Sequence, residues 1–170
     1  MSDLYSTHQE ALVRMLMRTE GPVLELGIGE YSSVIMHEIC EKQGRYLKTV
    51  TQDDKWHKKY EFLSAPMHEI VLIPGGRELE AWQNNAEVIK QVPNTTEGRW
   101  GLAMIDQAPG SARVWTMHQI RNMTDFFLVH DTDEMQHYKY HSIFKTFKYS
   151  KWYKRLKPHT TVLSDLREIP

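Results

Sequence analysis

Leu24-Glu25-Leu26-Gly27-Ile28-Gly29-Glu30-Tyr31-Ser32-Ser33 decides how this chain is read. Val23, Leu24 and Leu26 form a short apolar run of the kind expected of a parallel strand covered on both faces. Gly27 and Gly29 then allow a sharp turn and a close backbone approach to a ligand. Tyr31-Ser32-Ser33 opens a stretch in which Val34, Ile35, Ile39 and Cys40 are apolar, and either serine suits a helix N-cap. Strand, glycine turn and helix, with Glu25 two positions before the first glycine, mark a nucleotide-type cofactor site.

The dinucleotide fingerprint places a third glycine where Ser32 stands. S-adenosylmethionine carries no phosphate, and its amino group and sulfonium are cationic. An acid at a strand end suits that cofactor better than it suits a diphosphate. An ordinary strand-turn-helix without a ligand is the bland alternative.

Outward from this stretch, strands and helices alternate. A leading helix is expected over 7–19, strand one over 22–27, a helix over 31–43 and strand two from Tyr46 to Thr51. A short helix over 55–63, strand three over 68–73 and a helix over 77–91 follow. Pro93-Asn94-Thr95-Thr96-Glu97-Gly98 is a polar loop. Strand four runs from Gly101 to Ile105, a helix covers 112–122 and strand five runs from Phe126 to Val129. A long helix is expected over 135–156, then a last short strand from Thr160 to Leu163. This order predicts an α/β fold, a three-layer sandwich with a Rossmann-like, mostly parallel sheet and helices on both faces. With one strand after the long helix, the C-terminal end reads as shortened, and an open sheet edge invites pairing with a second copy.

The 170 residues suit a single domain over 1–170. Hydrophobic residues at 41% and charged residues at 25% are ordinary for a globular protein, and a net charge of -1 implies no general polyanion partner. The single cysteine, Cys40, excludes an intrachain disulfide. No apolar run approaches membrane-spanning length, and Met1-Ser2-Asp3-Leu4 shows no secretory signal. A cytoplasmic enzyme without membrane partners is the expectation.

Residues just beyond parallel strands converge on one crevice. Here those positions are polar: Glu25, Gly27 and Gly29 after strand one, Gln52, Asp53 and Asp54 after strand two. Asp106 and Gln107 follow strand four, and His130, Asp131, Thr132, Asp133 and Glu134 follow strand five.

On Glu25-Leu26-Gly27-Ile28-Gly29, the chain resembles class I S-adenosylmethionine-dependent methyltransferases over roughly residues 20–134. The resemblance implies that Glu25, Gly27, Gly29, Ser32 and Asp106 bind cofactor. It also implies an acid after strand two holding the ribose hydroxyls, a role for which Asp53 is chosen; Thr51 or Gln52 takes the slot if that strand ends earlier. Trp56 either covers the adenine or packs in the core. Asp106 with His130-Asp131 resembles the arrangement in metal-dependent small-molecule O-methyltransferases and the cephalosporin-hydroxylase-like group. Asp106 and Asp131 then hold Mg²⁺, although His130 departs from that pattern. Without metal, Asp106, His130 and Asp131 are the catalytic candidates, as base or as positioning groups; Asp131 or Thr132 as a helix cap is the structural alternative. Arg113 either binds an acidic substrate group or pairs with Asp106 or Asp131.

From Gln136 onward lysines interleave with aromatics. That composition fits an amphipathic helix with Ile143, Phe144 and Phe147 facing the sheet, or a nucleic-acid surface. His137 and His141 could join His130 as a metal pair, or stay solvated. The resemblance implies methyl transfer to a small-molecule acceptor, at a hydroxyl oxygen. A nucleic-acid methyltransferase and a non-catalytic cofactor-binding or oligomerisation module stand as alternatives, and a dinucleotide oxidoreductase as a fourth.

Overall fold

The computed structural model describes residues 6–93 and 98–170. The signal reading on Met1–Leu4 and residues 94–97 of the polar loop lie outside the described residues.

The elements in chain order are α1 (Gln9–Arg18), β1 (Val23–Leu26), α2 (Ser33–Gln43), β2 (Leu47–Thr51), α3 (Asp54–Tyr60), β3 (His68–Leu72), α4 (Leu79–Asn84) and α5 (Ala86–Lys90). Then come β4 (Trp100–Ile105), α6 (Gly110–Ile120), β5 (Thr124–Val129), α7 (His141–Phe144), β6 (Tyr149–Tyr153) and β7 (Thr160–Ser164). The seven strands lie in the order β3-β2-β1-β4-β5-β7-β6. β1 to β5 are parallel, and β7 is antiparallel to both β5 and β6.

Both faces of this sheet are covered, and the strands show why. Along β4, Leu102 and Met104 join the core beneath α1 and α2, while Ala103 and Ile105 join the core beneath α4, α5 and α6. β5 repeats this with Phe126 and Leu128 against Phe127 and Val129. Successive side chains point to opposite faces, so a strand buried on both sides must be apolar at every position. β1, β4 and β5 approach that limit, and the exceptions are informative. Glu25 in β1 and Thr49 in β2 are fully buried, and both sit in parallel register.

The sequence reading fails at the C-terminal end. No long helix covers 135–156: a chain of turns leads to the single-turn α7, and Tyr149-Ser150-Lys151-Trp152-Tyr153 forms β6. This stretch alternates half-buried and exposed residues, and Tyr and Trp favour a pleated surface. Ile143, Phe144 and Phe147 do pack on the sheet as expected, but from turns and a short helix. The C-terminal end is therefore not shortened. The β6–β7 hairpin is present, with β6 as the outer strand, so the missing hairpin behind the expected homo-oligomer is no longer a premise for one. The helix expected over 77–91 is broken into α4 and α5 at Asn85, whose Nδ2 donates to the Ala81 carbonyl at 2.8 Å. Among the described residues no helix is long and apolar enough to cross a membrane.

The turn after β1 is the tightest point. Gly27 has φ +94, and a Cβ there would lie 2.8 Å from the Asp106 carbonyl oxygen and 2.9 Å from the Gln107 Cα. Gly29 has no such restriction, its nearest neighbour to an added Cβ being Ser32 Oγ at 3.4 Å. Gly27→Ala is therefore expected to lose on the order of 3–4 kcal/mol in urea denaturation, through positive φ and backbone clash together. Gly29→Ala, measured alongside, is expected to change stability by less than about 1 kcal/mol.

Candidate active site

Glu25 lies at the centre of a buried polar network. Ser32 Oγ donates to its Oε1 at 2.6 Å, Ser33 Oγ to both oxygens at 2.9 Å, and Thr49 Oγ1 to Oε2 at 2.7 Å. Ser33 Oγ also accepts from the Gly29 amide at 2.9 Å. The serines thus do not cap α2 through their side chains. They tie the glycine turn to the carboxylate beneath it. Burial pushes the Glu25 carboxyl up to about 7, against the lowering effect of the three hydroxyls.

The network continues away from the turn. Thr49 Oγ1 lies 2.9 Å from His68 Nε2, and His68 Nδ1 lies 3.0 Å from His37 Nδ1. Thr49 spends its one proton on Glu25, so His68 must donate through Nε2 and accept from His37 at Nδ1. Burial, and then the neighbouring His37, hold the His68 imidazole down at about 4. Sequence reasoning missed this chain. Its signal was polar residues inside otherwise apolar strands, together with Ser33 and His37 one helical turn apart.

The strand ends open on a crevice of about 790 Å³. Ile28, Gly29, Glu30, Tyr31, Ser32 and Trp56 line one part of it. Asp106, Ala108, Arg113, His130, Asp131, His8 and Pro158 line the other. Trp56 stacks on Tyr60 with ring centroids 5.6 Å apart; it is half-buried against the small cluster of Ile28, Tyr60 and Leu63 and also lines the crevice.

Arg113, on α6, organises the second part. Its Nη2 meets Asp106 Oδ1 at 3.0 Å, its Nη1 meets Asp131 Oδ2 at 2.9 Å, and its Nε donates to the Gln107 carbonyl at 2.9 Å. Tyr138 lies over the guanidinium, 4.5 Å from its carbon to the ring centroid. Arg113 is thus fully engaged with both acids, which is the pairing alternative of the sequence reading. His130 Nδ1 lies 3.3 Å from Asp106 Oδ1 and 3.5 Å from Asp131 Oδ1. Burial works against a charged His130, but the Asp106 bond and the two carboxylate charges outweigh it and raise its pKa. Burial would raise Asp106 as well, yet His130 and Arg113 bring it below the usual carboxylate range.

His8 also stands here, and the sequence reading did not name it. Its ring meets that of His130 edge-on at 4.7 Å. It is 2% exposed, and neither ring nitrogen completes a hydrogen bond among the described residues, although the Tyr31 backbone lies near. Only position within the fold brings it here, since His8 immediately precedes α1 and its carbonyl accepts from the Leu12 amide at 2.9 Å.

The predicted site residues therefore divide. Gly29, Ser32, Asp106, His130 and Asp131 line the crevice, whereas Glu25 and Gly27 lie behind it as its support. Asp53 is not on the crevice wall. Its Oδ1 caps α3 by accepting from the Lys55 and Trp56 amides at 3.0 and 3.2 Å, and its Oδ2 pairs with Arg77. Asp131 and Thr132 cap no helix: Asp131 has φ +56, and Thr132 Oγ1 accepts from Thr161 at 2.8 Å. His137 and His141 are exposed and do not join His130, His137 instead meeting the Tyr138 ring edge-on at 4.7 Å.

No family model matches the chain, and no curated protein matches it. Solved structures do. The O-methyltransferase TomG from Streptomyces achromogenes, involved in tomaymycin synthesis and bound to S-adenosylmethionine, aligns with a TM-score of 0.64 at 13% identity, over 92% of this chain and 78% of its own. Human methyltransferase-like protein 13, in complex with S-adenosylhomocysteine, gives 0.61 at 11% identity, over 95% and 82%. An rRNA methylase from Streptococcus thermophilus gives 0.57 at 9%, over 98% and 99%. The likeness is one of fold: this chain has the Rossmann-like α/β fold of S-adenosylmethionine-dependent methyltransferases.

The buried His68 titrates near 4 in the folded chain against 6.5 for the free side chain. Between those values the unfolded chain binds a proton that the folded one refuses, so this group's contribution is intact above 6.5 and is lost as pH falls through about 4. His68→Gln keeps a donor for Thr49 and removes the titration. Its melting temperature, relative to the parent, is expected to rise as pH is lowered from 6.5 towards 4. A constant offset over that window would show that His68 does not carry the effect.

Proposed function

We propose that this chain binds S-adenosylmethionine against the Gly27–Gly29 turn and transfers its methyl group to a hydroxyl oxygen of a small acceptor. The observation that carries this reading is the shared crevice. The braced glycine turn and the Asp106, His130 and Asp131 wall face the same 790 Å³ space.

The lining suits that cofactor. Glu30, Asp106 and Asp131 supply negative charge, and Arg113, the one arginine or lysine on the wall among the described residues, is paired with two of them. A cationic sulfonium and ammonium are favoured there, and a diphosphate is not. Trp56 offers an aromatic face to a purine. Asp53 takes the ribose if its hydroxyls displace Arg77, whose side chain is 66% exposed and so gives up a weak pair.

When bound, the cofactor supplies a methyl group already activated on sulfur. The chain's own part is placement, exclusion of water and handling of the acceptor's proton. Arg113 and His130 hold Oδ1 of Asp106, which is ionised before the reaction, accepts the acceptor's hydroxyl hydrogen and takes that proton as the O–C bond forms and the C–S bond breaks. That hydrogen bond turns an oxygen lone pair towards the methyl carbon. An Asp106–Asp131 pair binding Mg²⁺ does not enter this reading, because Arg113 takes one oxygen of each carboxylate and the neighbouring donors, His8 and His130, are nitrogens that Mg²⁺ does not favour. A nucleic-acid acceptor is the weaker reading: Lys148, Lys151 and Lys154 belong to the β6 edge and none lines the crevice.

Calorimetry with S-adenosylhomocysteine and with NAD tests the proposal. The nucleoside is expected to bind and NAD is not. Gly29→Val is expected to weaken the nucleoside by at least about 10-fold, some 1.4 kcal/mol, while the fold is kept. Gly27→Val is a poor probe, since it would break the turn itself. Absence of nucleoside binding by the parent chain, or unchanged affinity in a folded Gly29→Val, overturns the reading.

A further inference from the structure

We propose that His8, Asp106 and His130 form a binding site for one divalent transition-metal ion of the Zn²⁺ or Fe²⁺ type. One ligand atom from each lies within 4.8 Å of the others. The set is two imidazole nitrogens and one carboxylate oxygen, with the remaining positions open to the crevice. Nitrogen-rich sites of this kind take borderline transition metals in preference to Mg²⁺ or Ca²⁺.

Hydrogen-bond direction points the same way. Thr7 Oγ1 donates its single proton to the Pro158 carbonyl at 2.7 Å. It must therefore accept from His130, whose Nε2 lies 3.1 Å away. Nε2 being the donor, the other ring nitrogen, Nδ1, faces carboxylate oxygens of Asp106 and Asp131. A lone pair aimed at two carboxylates is unfavourable, so a positive centre belongs between them. A proton on Nδ1 would answer that for His130 alone. It would leave His8, 2% exposed, with two ring nitrogens that complete no hydrogen bond among the described residues, although the Tyr31 backbone lies near. A metal ion satisfies both rings at once. Charge agrees: with His130 neutral, as a metal ligand must be, Asp106 and Asp131 carry two negative charges against the single positive charge of Arg113.

The site differs from an Asp106–Asp131 pair in its ligands and in its metal. His8 comes from the segment before α1, and the helix is fixed by the buried Ala11, Leu12, Met15 and Leu16. Metal binding as such does not depend on the methyl-transfer reading. Only a role for the ion in polarising the acceptor oxygen rests on it.

The test uses the full chain, stripped of metal and free of cofactor. Titration with Zn²⁺ and Co²⁺ is expected to show one tight equivalent, with visible cobalt bands and no competition from excess Mg²⁺. His8→Gln is expected to weaken Zn²⁺ by at least about 10-fold, while His37→Gln, at the separate histidine pair, leaves it unchanged. Zinc-edge X-ray absorption on the parent chain should count two imidazoles, and needs no variant to fold. No tight equivalent, one imidazole or none at the zinc, equal affinity in His8→Gln, or loss in His37→Gln would each overturn the proposal. Calorimetry with S-adenosylhomocysteine on the same metal-free chain separates this outcome from failure of the cofactor reading.

Discussion

A carboxylate buried under a glycine turn is the constraint around which the cofactor side of this fold is arranged. Burying an ion without compensation is expensive, and a lone buried acid would protonate or pull the structure open. At Glu25, three hydroxyl donors drawn from β2 and the start of α2 offset part of that cost, although burial still holds its carboxyl up at about 7. Each donor is on an element that the turn must hold in place. The bonds that make the carboxylate tolerable are thus the bonds that fix β1, β2 and α2 around the Gly27–Gly29 backbone. His68 and His37 extend the order outwards, because Thr49 cannot donate to Glu25 and also to His68.

The Asp106 and Asp131 side of the crevice solves the opposite problem. There, like charges are gathered rather than isolated. Asp106 follows β4 and Asp131 follows β5, so parallel neighbours bring two acids close together. Arg113 projects from α6 between them and takes one oxygen of each. His130 contacts the other Asp131 oxygen and the Asp106 oxygen that Arg113 also holds. With Glu30, three acids face the crevice against Arg113 and a His130 held towards its charged form, which favours a cationic ligand at the turn. In the function proposed above, one region of the sheet supports the cofactor mechanically and the other attracts it electrostatically.

Much of this was legible in the sequence for a simple reason. Strands buried on both faces read as apolar runs, and the glycines and acids that interrupt them stand out. β1, β4 and β5, Gly27, Asp106 and His130 were found that way. Asp53 was placed at the right strand end, but spacing cannot show whether a carboxylate is already committed. Here one oxygen caps α3 and the other meets Arg77, twenty-four positions away in the chain. The roles of Ser32 and Ser33 were misjudged for a related reason. A serine before a helix looks like a cap unless a buried acid competes for its hydroxyl, and that competition is tertiary.

The errors at the C-terminal end show a sharper limit. Lysines and aromatics at mixed spacing satisfy a helical stripe and a pleated strand about equally well over short windows. The choice fell to the sheet, since β7 needs an outer neighbour to satisfy its backbone and β6 supplies it. His8 lies at the other extreme. It carries no motif, it precedes the first helix, and its importance comes entirely from docking against His130 across the chain. A local pattern can announce a turn because the turn's physics is local. A buried imidazole without a partner is a property of the assembled fold, and that is why the folded chain, rather than its spacing, identifies the nitrogen-rich corner of the crevice.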